Sequence, residues 1–273
     1  MFNPFNLKKE NPFAHIDIGT ICYFDTETTG LHPINSQIVE IAALKGDSKF
    51  YKKIDLNEDT KQKIEKEKTC FNKNNKKAKT IEELLTMSCY TSSPSFCSEK
   101  EALLDFVKFA KNSSILLAHN ASFDMRMIND RCRFYQIPTL SRIPVYDTLA
   151  FSRRFFVPAL ITIELSSTNA KSRKKAKSIL DKLTKSYYKS GQRLNISNSL
   201  SSLIGALRGN SLNWHQATAD VEMLKDLVEN FFKLIFDKHF STITSKPTFK
   251  KYFMRNSRFE ERMRNKDKTT STK

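Results

Sequence analysis

The sequence predicts an α/β fold in which helices flank a mixed sheet. Two observations predict it: three short apolar segments follow one another with only brief turns between them, and helical and extended patterns then alternate. The chain has 273 residues, of which 39% are hydrophobic, so it can bury a core of ordinary size.

Each predicted element follows from the spacing of its apolar residues. Short runs of alternating or continuous apolar residues predict strands, and apolar residues three or four apart predict helices. The last helix is the clearest, because Val221, Leu224 and Leu227 continue one apolar stripe. In chain order, the sequence predicts strands at 21–24, 37–44 and 49–54, a helix at 101–110, a strand at 114–118, and helices at 122–135, 146–155, 200–207 and 217–236.

The net charge of +17 is concentrated in two segments. Residues 160–195 carry nine lysines and arginines against two acidic residues, and residues 243–273 carry ten against three. Such a basic surface favours a polyanionic partner such as nucleic acid. The second segment interleaves aromatic residues with its cations, so it either stacks on bases or is only a solvated terminus. The expected organisation is an N-terminal arm at 1–17, one domain at 18–240 with a basic insertion at about 160–195, and a basic tail at 241–273.

The composition argues against several classes of protein. No apolar run approaches the ~18 residues of a membrane span, and the first residues lack the apolar stretch of a secretory signal. The six glycines form neither GxGxxG nor GxxxxGK, and the five cysteines form no CxxC pair, so nucleotide-cradling loops and zinc knuckles are not predicted. We expect a soluble, cytoplasmic protein that does not bind membranes.

Two acidic residues, Asp25 and Glu27, lie at the end of the first predicted strand, in the segment FDTETTG at 24–30. Residues two apart in a strand project from the same face, so the two carboxylates lie side by side. Like charges at this separation repel each other unless one is protonated, both are well solvated or a cation joins them. A hard divalent cation fits such a pair, although solvent-facing acidic pairs are also common.

Two further acidic residues begin helices. Asp124 follows a buried strand in the segment LLAHNASFD at 116–124, where an acid in a first helical turn can also be a simple favourable end charge. Asp220 begins the apolar stripe of the last helix, and a carboxylate on the buried side of a helix needs a partner or a metal. His215 precedes Asp220 by five residues and is expected in the loop or first turn, near the same site. Taken alone, His215 is either structural or catalytic.

Together, these segments resemble a known family. FDTETTG, HNASFD and His-x4-Asp occur in the order of the three motifs of the DEDDh family of 3′-5′ exonucleases. The chain looks most like the proofreading epsilon subunit of bacterial DNA polymerase III and its homologues. The resemblance covers about residues 18–240 and includes the segment YDTLAFSRR, which begins at Tyr146. It implies a ribonuclease H-like fold.

The resemblance also implies a site and a reaction. The reaction is hydrolysis of the terminal phosphodiester bond at a 3′ end, with release of a nucleoside 5′-monophosphate. His215 would be the general base, and four carboxylates would bind two Mg²⁺ ions, for which Mn²⁺ can substitute. These implied metal ligands are Asp25, Glu27, Asp124 and Asp220.

By the same resemblance, four residues are expected to bind the terminal nucleotide. Thr28, Thr29 and Leu31 would grip it together with the backbone around Gly30, and Phe123 would pack near it. The residues themselves allow structural alternatives. The two threonines can simply end the strand in a turn, and the phenylalanine can be a core residue at helical spacing.

Three functions remain open from the sequence. The first is an exonuclease that acts on single-stranded or frayed DNA 3′ ends in proofreading or repair, with a DNA polymerase subunit as a candidate partner. The second is a 3′-5′ exoribonuclease of the same family, because the metal chemistry does not distinguish the sugars. The third is a non-catalytic nucleic-acid-binding or polymerase-bridging module, against which four converging carboxylates argue. The segment FDTETTG looks more like the polymerase-associated branch, which favours DNA.

Overall fold

A computed structural model describes residues 18–62, 96–187, 193–208 and 217–235. The strands that form its central sheet are β1 (Ile21–Thr28), β2 (Ile38–Lys45), β3 (Ser48–Lys53), β4 (Ile115–Ala118) and β5 (Val145–Asp147). They lie in the order β3-β2-β1-β4-β5.

The sheet is mixed, as the sequence predicts. β2 pairs antiparallel with both β1 and β3, whereas β4 pairs parallel with both β1 and β5. The first four strands lie where the sequence places them, and β1 continues four residues further, to Thr28. The helix predicted at 146–155 was wrong at its start, because Tyr146 and Asp147 belong to β5 and the helix begins at Thr148; three residues are too few to show the alternating pattern of a strand.

Helices cover both faces of the sheet. None of those described is both long and apolar enough to span a membrane. The expected arm at 1–17 and the expected tail at 241–273 lie outside the described residues. The helices are α1 (Glu99–Ala110), α2 (Ala121–Phe134), α3 (Thr148–Phe151), α4 (Val157–Ser166), α5 (Ala170–Leu183), α6 (Leu200–Arg208) and α7 (Ala217–Ile235), and a π-helical turn at Ser152–Phe156 joins α3 to α4.

The two faces of β1 contact different helices. Phe24 packs on one side against Phe106 of α1, in the core that α1 and α2 share with the sheet. Tyr23 packs on the other side, in the core that contains Val221 and Leu224 of α7. Because side chains alternate along a strand, the odd-numbered residues of β1 face α7.

The expected basic insertion has secondary structure of its own. It contains most of α4, all of α5 and a hairpin of β6 (Thr184–Tyr187) and β7 (Arg193–Ile196). α5 buries Ala176, Ile179 and Leu180 against a separate apolar core shared with α4, α6 and α7. The sequence predicts no elements in this segment, because lysines and serines fill most positions between its few apolar residues.

Candidate active site

Three carboxylates meet where β1 passes the first turn of α7. Asp25, Glu27 and Asp220 each offer an oxygen atom, and these oxygens all lie within 4.8 Å of one another. All three side chains are partly buried. Asp220 lies 195 residues after Asp25 and 193 residues after Glu27 in the sequence, so only the packing of α7 on the sheet brings them together.

Alternation along β1 and the apolar stripe of α7 produce this meeting. Asp25 and Glu27 continue the row of odd-numbered side chains that faces α7. The buried Ala217 and Val221 pack α7 against that face on either side of Asp220. Asp220 therefore enters the site from the first helical turn, which favours negative charge.

Asp124 lies beside this group and is held by β1 itself. Its side chain is only 3% exposed. The backbone N–H of Thr26 donates to Asp124 Oδ1 at 3.2 Å, and Thr26 Oγ1 donates to the same oxygen at 2.6 Å. β4 pairs with β1 only as far as Tyr23, so the Asp124 carboxylate accepts from β1 beyond the point where that pairing ends.

Burial and mutual repulsion raise the pKa values of three of these acids. Burial and the charges of Asp124, Glu27 and Asp220 raise the pKa of Asp25 well above its ordinary value. Burial and neighbouring acids, with Asp220 first among them, raise the pKa of Glu27 to about 7. Burial raises the pKa of Asp124 to about 6, even though the Thr26 hydrogen bonds act to lower it.

This donor set fits a divalent cation. Carboxylate oxygens are the ligands that Mg²⁺ and Mn²⁺ prefer. Burial and mutual repulsion disfavour the charged forms of Asp25 and Glu27, and a positive charge among the three carboxylates would offset both effects. Asp124 raises the pKa of both Asp25 and Glu27, so it lies within electrostatic range of the same position.

The threonines predicted to bind substrate are engaged in the turn that follows β1. Thr28 Oγ1 donates to the carbonyl of Gly30 at 2.8 Å. Thr29 Oγ1 accepts from the backbone N–H of Gln37 at 2.9 Å. A Cβ on Gly30 would lie 2.6 Å from Ser36 Oγ, so glycine keeps this turn tight. The hydrogen bonds agree with the structural alternative for both threonines and leave their nucleotide contacts a prediction.

Leu31 and Phe123, the two apolar candidates, have different surroundings. The Leu31 side chain is 71% exposed, next to the end of β1. Its carbonyl accepts from Arg126 Nη2 at 3.0 Å, which ties this loop to α2. Phe123 is partly buried and packs against the main core. This position agrees with the structural alternative, and a contact between Phe123 and a nucleotide stays a prediction.

His215, the predicted general base, lies outside the described residues. α7 begins two residues later, at Ala217, and Asp220 lies in its first turn. The role of His215 therefore stays a prediction.

Hydrogen bonds of His119 and Asn120 order the segment between β4 and α2. Asn120 has a φ of 70°, and its backbone N–H donates to Asp147 Oδ1 at 2.9 Å. His119 Nδ1 lies 2.9 Å from Thr148 Oγ1, and burial lowers the pKa of His119 to about 4. A neutral imidazole and a capping aspartate thus position the loop that leads to Asp124.

One acidic residue near the site was missed altogether. Glu40 lies directly opposite Glu27 in the β1–β2 pairing. Burial raises the pKa of Glu40, whereas Tyr51, Lys53 and the backbone of Ala217 act to lower it. A single acid inside the apolar segment IVEIAAL could have marked Glu40 as a residue of interest. Its neighbours on the adjacent strands depend on the strand register, which the sequence does not predict.

The sequence of this chain is similar to an exonuclease family and to a group of DNA polymerases. The sequence profile of the RNase T exonuclease family matches residues 22–159, just over half of the chain. The PolC-type DNA polymerase III of Streptococcus thermophilus is 30% identical over 146 residues, which are 50% of this chain and 8% of that protein. The PolC-type enzyme of Streptococcus pyogenes serotype M2 is 31% identical over 142 residues, with the same coverage.

The fold is also that of a solved exonuclease. A product-bound structure of exonuclease I matches 81% of this chain and 46% of its own chain, with a TM-score of 0.50 and 14% sequence identity. The match confirms the ribonuclease H-like arrangement of a mixed five-stranded sheet flanked by helices. From the family profile and this shared fold, we conclude that the chain belongs to the RNase T family of exonucleases.

Proposed function

We propose that this protein is a metal-dependent 3′-5′ exonuclease that acts on DNA and releases nucleoside 5′-monophosphates. The observation that carries the proposal is the meeting of Asp25, Glu27 and Asp220 within 4.8 Å on the fold of an exonuclease family. A structural or bridging module has no use for acids whose repulsion raises their own pKa values. The cluster therefore favours catalysis over the non-catalytic alternative.

Hydrolysis of a phosphodiester requires that an anion be attacked by water and that an alkoxide leave. Two Mg²⁺ ions, when bound, would supply positive charge and Lewis acidity at the phosphate. Asp25, Glu27 and Asp220 would hold them through carboxylate oxygens. Asp124, which Thr26 holds in place by hydrogen bonds, would be the fourth ligand.

His215 is proposed as the group that accepts a proton from the attacking water. An unperturbed imidazole has a pKa of ~6.5, so it is largely neutral and able to act as a base near neutral pH. The oxygen of that water forms the new bond to phosphorus, and the 3′ oxygen of the penultimate nucleotide leaves. Because it precedes α7 by two residues, His215 is carried by the same segment as Asp220.

The loop after β1 is proposed to hold the terminal nucleotide. Leu31 lies three residues after the end of β1 and presents a 71% exposed apolar side chain, a suitable surface for the face of a base. Thr28, Thr29 and the backbone at Gly30 would line the sugar side, and Phe123 would pack near the nucleotide from α2. These contacts involve sugar, phosphate and base faces, so recognition would not depend strongly on sequence.

DNA is the proposed substrate, and proofreading or repair the proposed role. The relatives that match residues of this chain are named as DNA polymerase III enzymes of the PolC type, which supports DNA and a DNA polymerase as partner. The matched segment spans only 8% of those proteins, so their other activities give no guide to this chain. An exoribonuclease of the same family is the competing proposal.

The basic surface of α5 supports a polyanionic substrate. Lys171, Lys174 and Lys177 are exposed on this helix, whose opposite side is buried in the core it shares with α4 and α6. Single-stranded nucleic acid is bound in part through such rows of cations. We propose that α5 contacts the phosphates of the strand upstream of the 3′ end.

One assay separates the three functions. A 5′-labelled DNA strand and an RNA strand of the same sequence are incubated with Mg²⁺ or with EDTA, using the wild-type protein and Asp25→Ala. Asp47→Ala, an exposed acid in the β2–β3 turn, is the matched control. The proposal predicts a ladder that shortens from the 3′ end of DNA, requires Mg²⁺, is lost in Asp25→Ala and persists in Asp47→Ala. Degradation of RNA alone would establish the exoribonuclease, and binding without cleavage would establish the non-catalytic module.

A further inference from the structure

We propose that Gln37 is a positioning residue whose buried side-chain amide holds the loop between β1 and β2, residues 29–37, in the conformation that receives the terminal nucleotide. The inference rests on the proposed function, which assigns this loop to the nucleotide. It arises from a buried polar side chain at the end of the loop that the mechanism does not use.

The backbone of Gln37 closes the β1–β2 loop. β1 ends at Thr28 and β2 begins at Ile38, so the loop is bounded by Thr29 and Gln37. The Thr29 backbone N–H donates to the Gln37 carbonyl at 2.9 Å, and the Gln37 backbone N–H donates to Thr29 Oγ1 at 2.9 Å. Two hydrogen bonds thus join the first residue of the loop to the last, and the position of Gln37 sets that of Thr29.

The side chain of Gln37 binds the segment that follows β3. Its Nε2 donates to the Asp55 carbonyl at 2.6 Å, and its Oε1 accepts from the Asn57 backbone N–H at 3.0 Å. An amide suits these two partners, because it donates and accepts at the same time. Gln37 is only 2% exposed, so loss of either contact would leave a polar group buried without a partner.

The segment that receives this side chain is itself fixed to the sheet. The Ile54 backbone N–H donates to the Val39 carbonyl of β2 at 2.9 Å, and the Asp55 backbone N–H donates to the Cys97 carbonyl at 3.0 Å. Ile54 is buried and belongs to the main core. Gln37 therefore attaches the loop to the packed framework of the fold.

The part of the loop proposed to meet the nucleotide depends on this attachment. Leu31 lies two residues after Thr29, and its carbonyl accepts from Arg126 of α2 at 3.0 Å, so α2 and Gln37 together hold the loop. A surface that is already ordered saves the conformational entropy that a loose loop loses when its ligand binds. Loss of the two amide hydrogen bonds should therefore lower the affinity for the nucleotide by about 5- to 30-fold, the factor to which one or two hydrogen bonds correspond.

The test compares Gln37→Met and Asn198→Leu with the wild-type protein. Met is close to Gln in length and shape but can form neither hydrogen bond of the amide. Asn198 is the matched control, because it is partly buried outside the loop and its amide also donates and accepts. Its Nδ2 donates to the Ile196 carbonyl at 3.1 Å, and its Oδ1 accepts from Ser152 Oγ at 2.7 Å.

Four quantities are measured on the full chain. Calorimetry gives the affinity for thymidine 5′-monophosphate in the presence of Mn²⁺ and the affinity for Mn²⁺ alone. Steady-state kinetics give kcat and KM for a DNA strand. Hydrogen exchange at the Thr29 amide reports on the loop directly, because this N–H donates to the Gln37 carbonyl.

The proposal predicts that Gln37→Met weakens nucleotide binding and raises KM by about 5- to 30-fold, and that its Thr29 amide exchanges faster. Its affinity for Mn²⁺ alone and its kcat should stay within about threefold of wild type, because the lost contacts serve binding and not the chemical step. Asn198→Leu should match wild type in all four quantities.

Three results would overturn the proposal. The first is a Gln37→Met variant that binds the nucleotide as tightly as wild type. The second is an equal loss of nucleotide affinity in Asn198→Leu. The third is a loss of affinity for Mn²⁺ alone as large as the loss for the nucleotide, since Gln37 would then support the metal site and not the loop.

A second variant covers the case in which Gln37→Met does not fold. Gln37→Asn keeps the amide but is one methylene too short to reach Asp55 and Asn57 together, so it should bind the nucleotide less tightly, and unchanged binding would overturn the proposal. Calorimetry also separates this proposal from the proposed function. A wild-type protein that binds the nucleotide but cleaves nothing refutes the function alone. One that cleaves DNA with the same nucleotide affinity as Gln37→Met refutes the role of Gln37 alone.

Discussion

Glu27 binds its proton more tightly in the folded protein than in the unfolded chain. Burial and the neighbouring acids raise its pKa from an ordinary value of 4.5 to about 7. A group whose pKa is raised by folding contributes stability that is complete below its unfolded pKa and is lost as the pH rises through its folded pKa. The metal-free protein should therefore become less stable between about pH 4.5 and about pH 7.

This predicts a stabilising substitution at the proposed catalytic site. In EDTA at pH 8, Glu27→Gln should raise the free energy of unfolding, by about 1–3 kcal/mol, because it removes one of several mutually repelling charges. At pH 4.5 the same variant should differ little from wild type. Urea denaturation at the two pH values measures both effects. A variant less stable than wild type at pH 8 would show that repulsion does not dominate at this residue.

A second prediction at the residue scale concerns the hydrogen bond that holds Asp124. Thr26→Val keeps the backbone donor but removes the Oγ1 donor at 2.6 Å. We expect a loss of about 2 kcal/mol in unfolding free energy, because the acceptor is charged and buried. We also expect the acid limb of kcat/KM against pH to move to higher pH, since this hydrogen bond lowers the Asp124 pKa.

Thr162→Val is the control for this experiment. Its hydroxyl also donates a short hydrogen bond, to the Pro158 carbonyl at 2.9 Å, but on the exposed side of α4. This variant should leave the pH profile unchanged. If Thr26→Val also leaves the profile unchanged, Asp124 does not titrate in the step that the profile reports.

The sequence reveals some of these residues better than others. The spacing of Asp25 and Glu27 is enough to predict that their carboxylates share a face, because alternation in a strand is a local property. Asp220 could be placed on the buried side of its helix for a similar reason. That the two meet depends on how α7 packs on the sheet, and the pairing of Glu40 with Glu27 depends on the register between strands. Neither is a local property, so neither could be derived without the fold or a family resemblance.

At the scale of elements, one buried ion pair joins three parts of the fold. Glu99 at the start of α1 accepts from Arg131 Nε of α2 at 3.0 Å, and it also accepts from the backbone N–H of Ile38, which begins β2. Both charged side chains are buried, with 1% and 9% exposed. The pair thus holds the helix of Asp124 against the strand of Glu40.

Breaking this pair should destabilise the protein strongly. Arg131→Met leaves Glu99 charged and without its cation, for which a loss of about 3–5 kcal/mol is expected in urea denaturation. The double variant Glu99→Gln with Arg131→Met should recover much of that loss, because no buried charge is then left over. A single variant within about 1 kcal/mol of wild type would contradict this assignment.

The basic face of α5 gives a prediction about binding. Replacing Lys171, Lys174 and Lys177 by Gln should weaken binding to single-stranded DNA and reduce the slope of log K against log salt by about 2, or ~0.7 for each phosphate that a lysine no longer neutralises. The value of kcat at saturating substrate should not change. Binding measured by fluorescence anisotropy across a salt series gives this slope.

A control removes the same charge from the other side of the sheet. Lys100, Lys108 and Lys111 are exposed on α1 and just after it. Replacing all three by Gln lowers the net charge by the same amount. If both triple variants reduce the slope equally, total charge governs binding and α5 has no special role.

The elements that could be predicted from the sequence are those with a long and clear apolar periodicity. The first four strands, α1, α2, α6 and α7 have clear apolar periodicity and lie where the sequence places them. α5 buries Ala176, Ile179 and Leu180 at helical spacing. These few apolar residues lie among many lysines, so the helix could not be recognised from apolar periodicity. The hairpin of β6 and β7 consists of two four-residue strands, too short for a period to be recognised.

At the scale of the whole molecule, the two faces of the sheet have different roles. One face packs on α1 and α2 in the main core, and the other face carries the acids beneath α7. The core of α4, α5 and α6 includes Met223 and Leu227 of α7, so the basic unit and the acidic site share that helix. A single helix thus links the surface proposed to hold the strand to the carboxylates proposed to cleave it.

The central claim is that Asp25, Glu27, Asp124 and Asp220 together bind divalent metal ions. The most direct measurement is the anomalous scattering of Mn²⁺ in crystals of the protein grown with a nucleoside 5′-monophosphate. If these four acids bind the ions, crystals of the wild-type protein will show two anomalous peaks among the carboxylates, about 4 Å apart, and Asp25→Asn crystals will show neither. Crystals that bind the nucleotide but show no peak there, or that keep both peaks in Asp25→Asn, would contradict it.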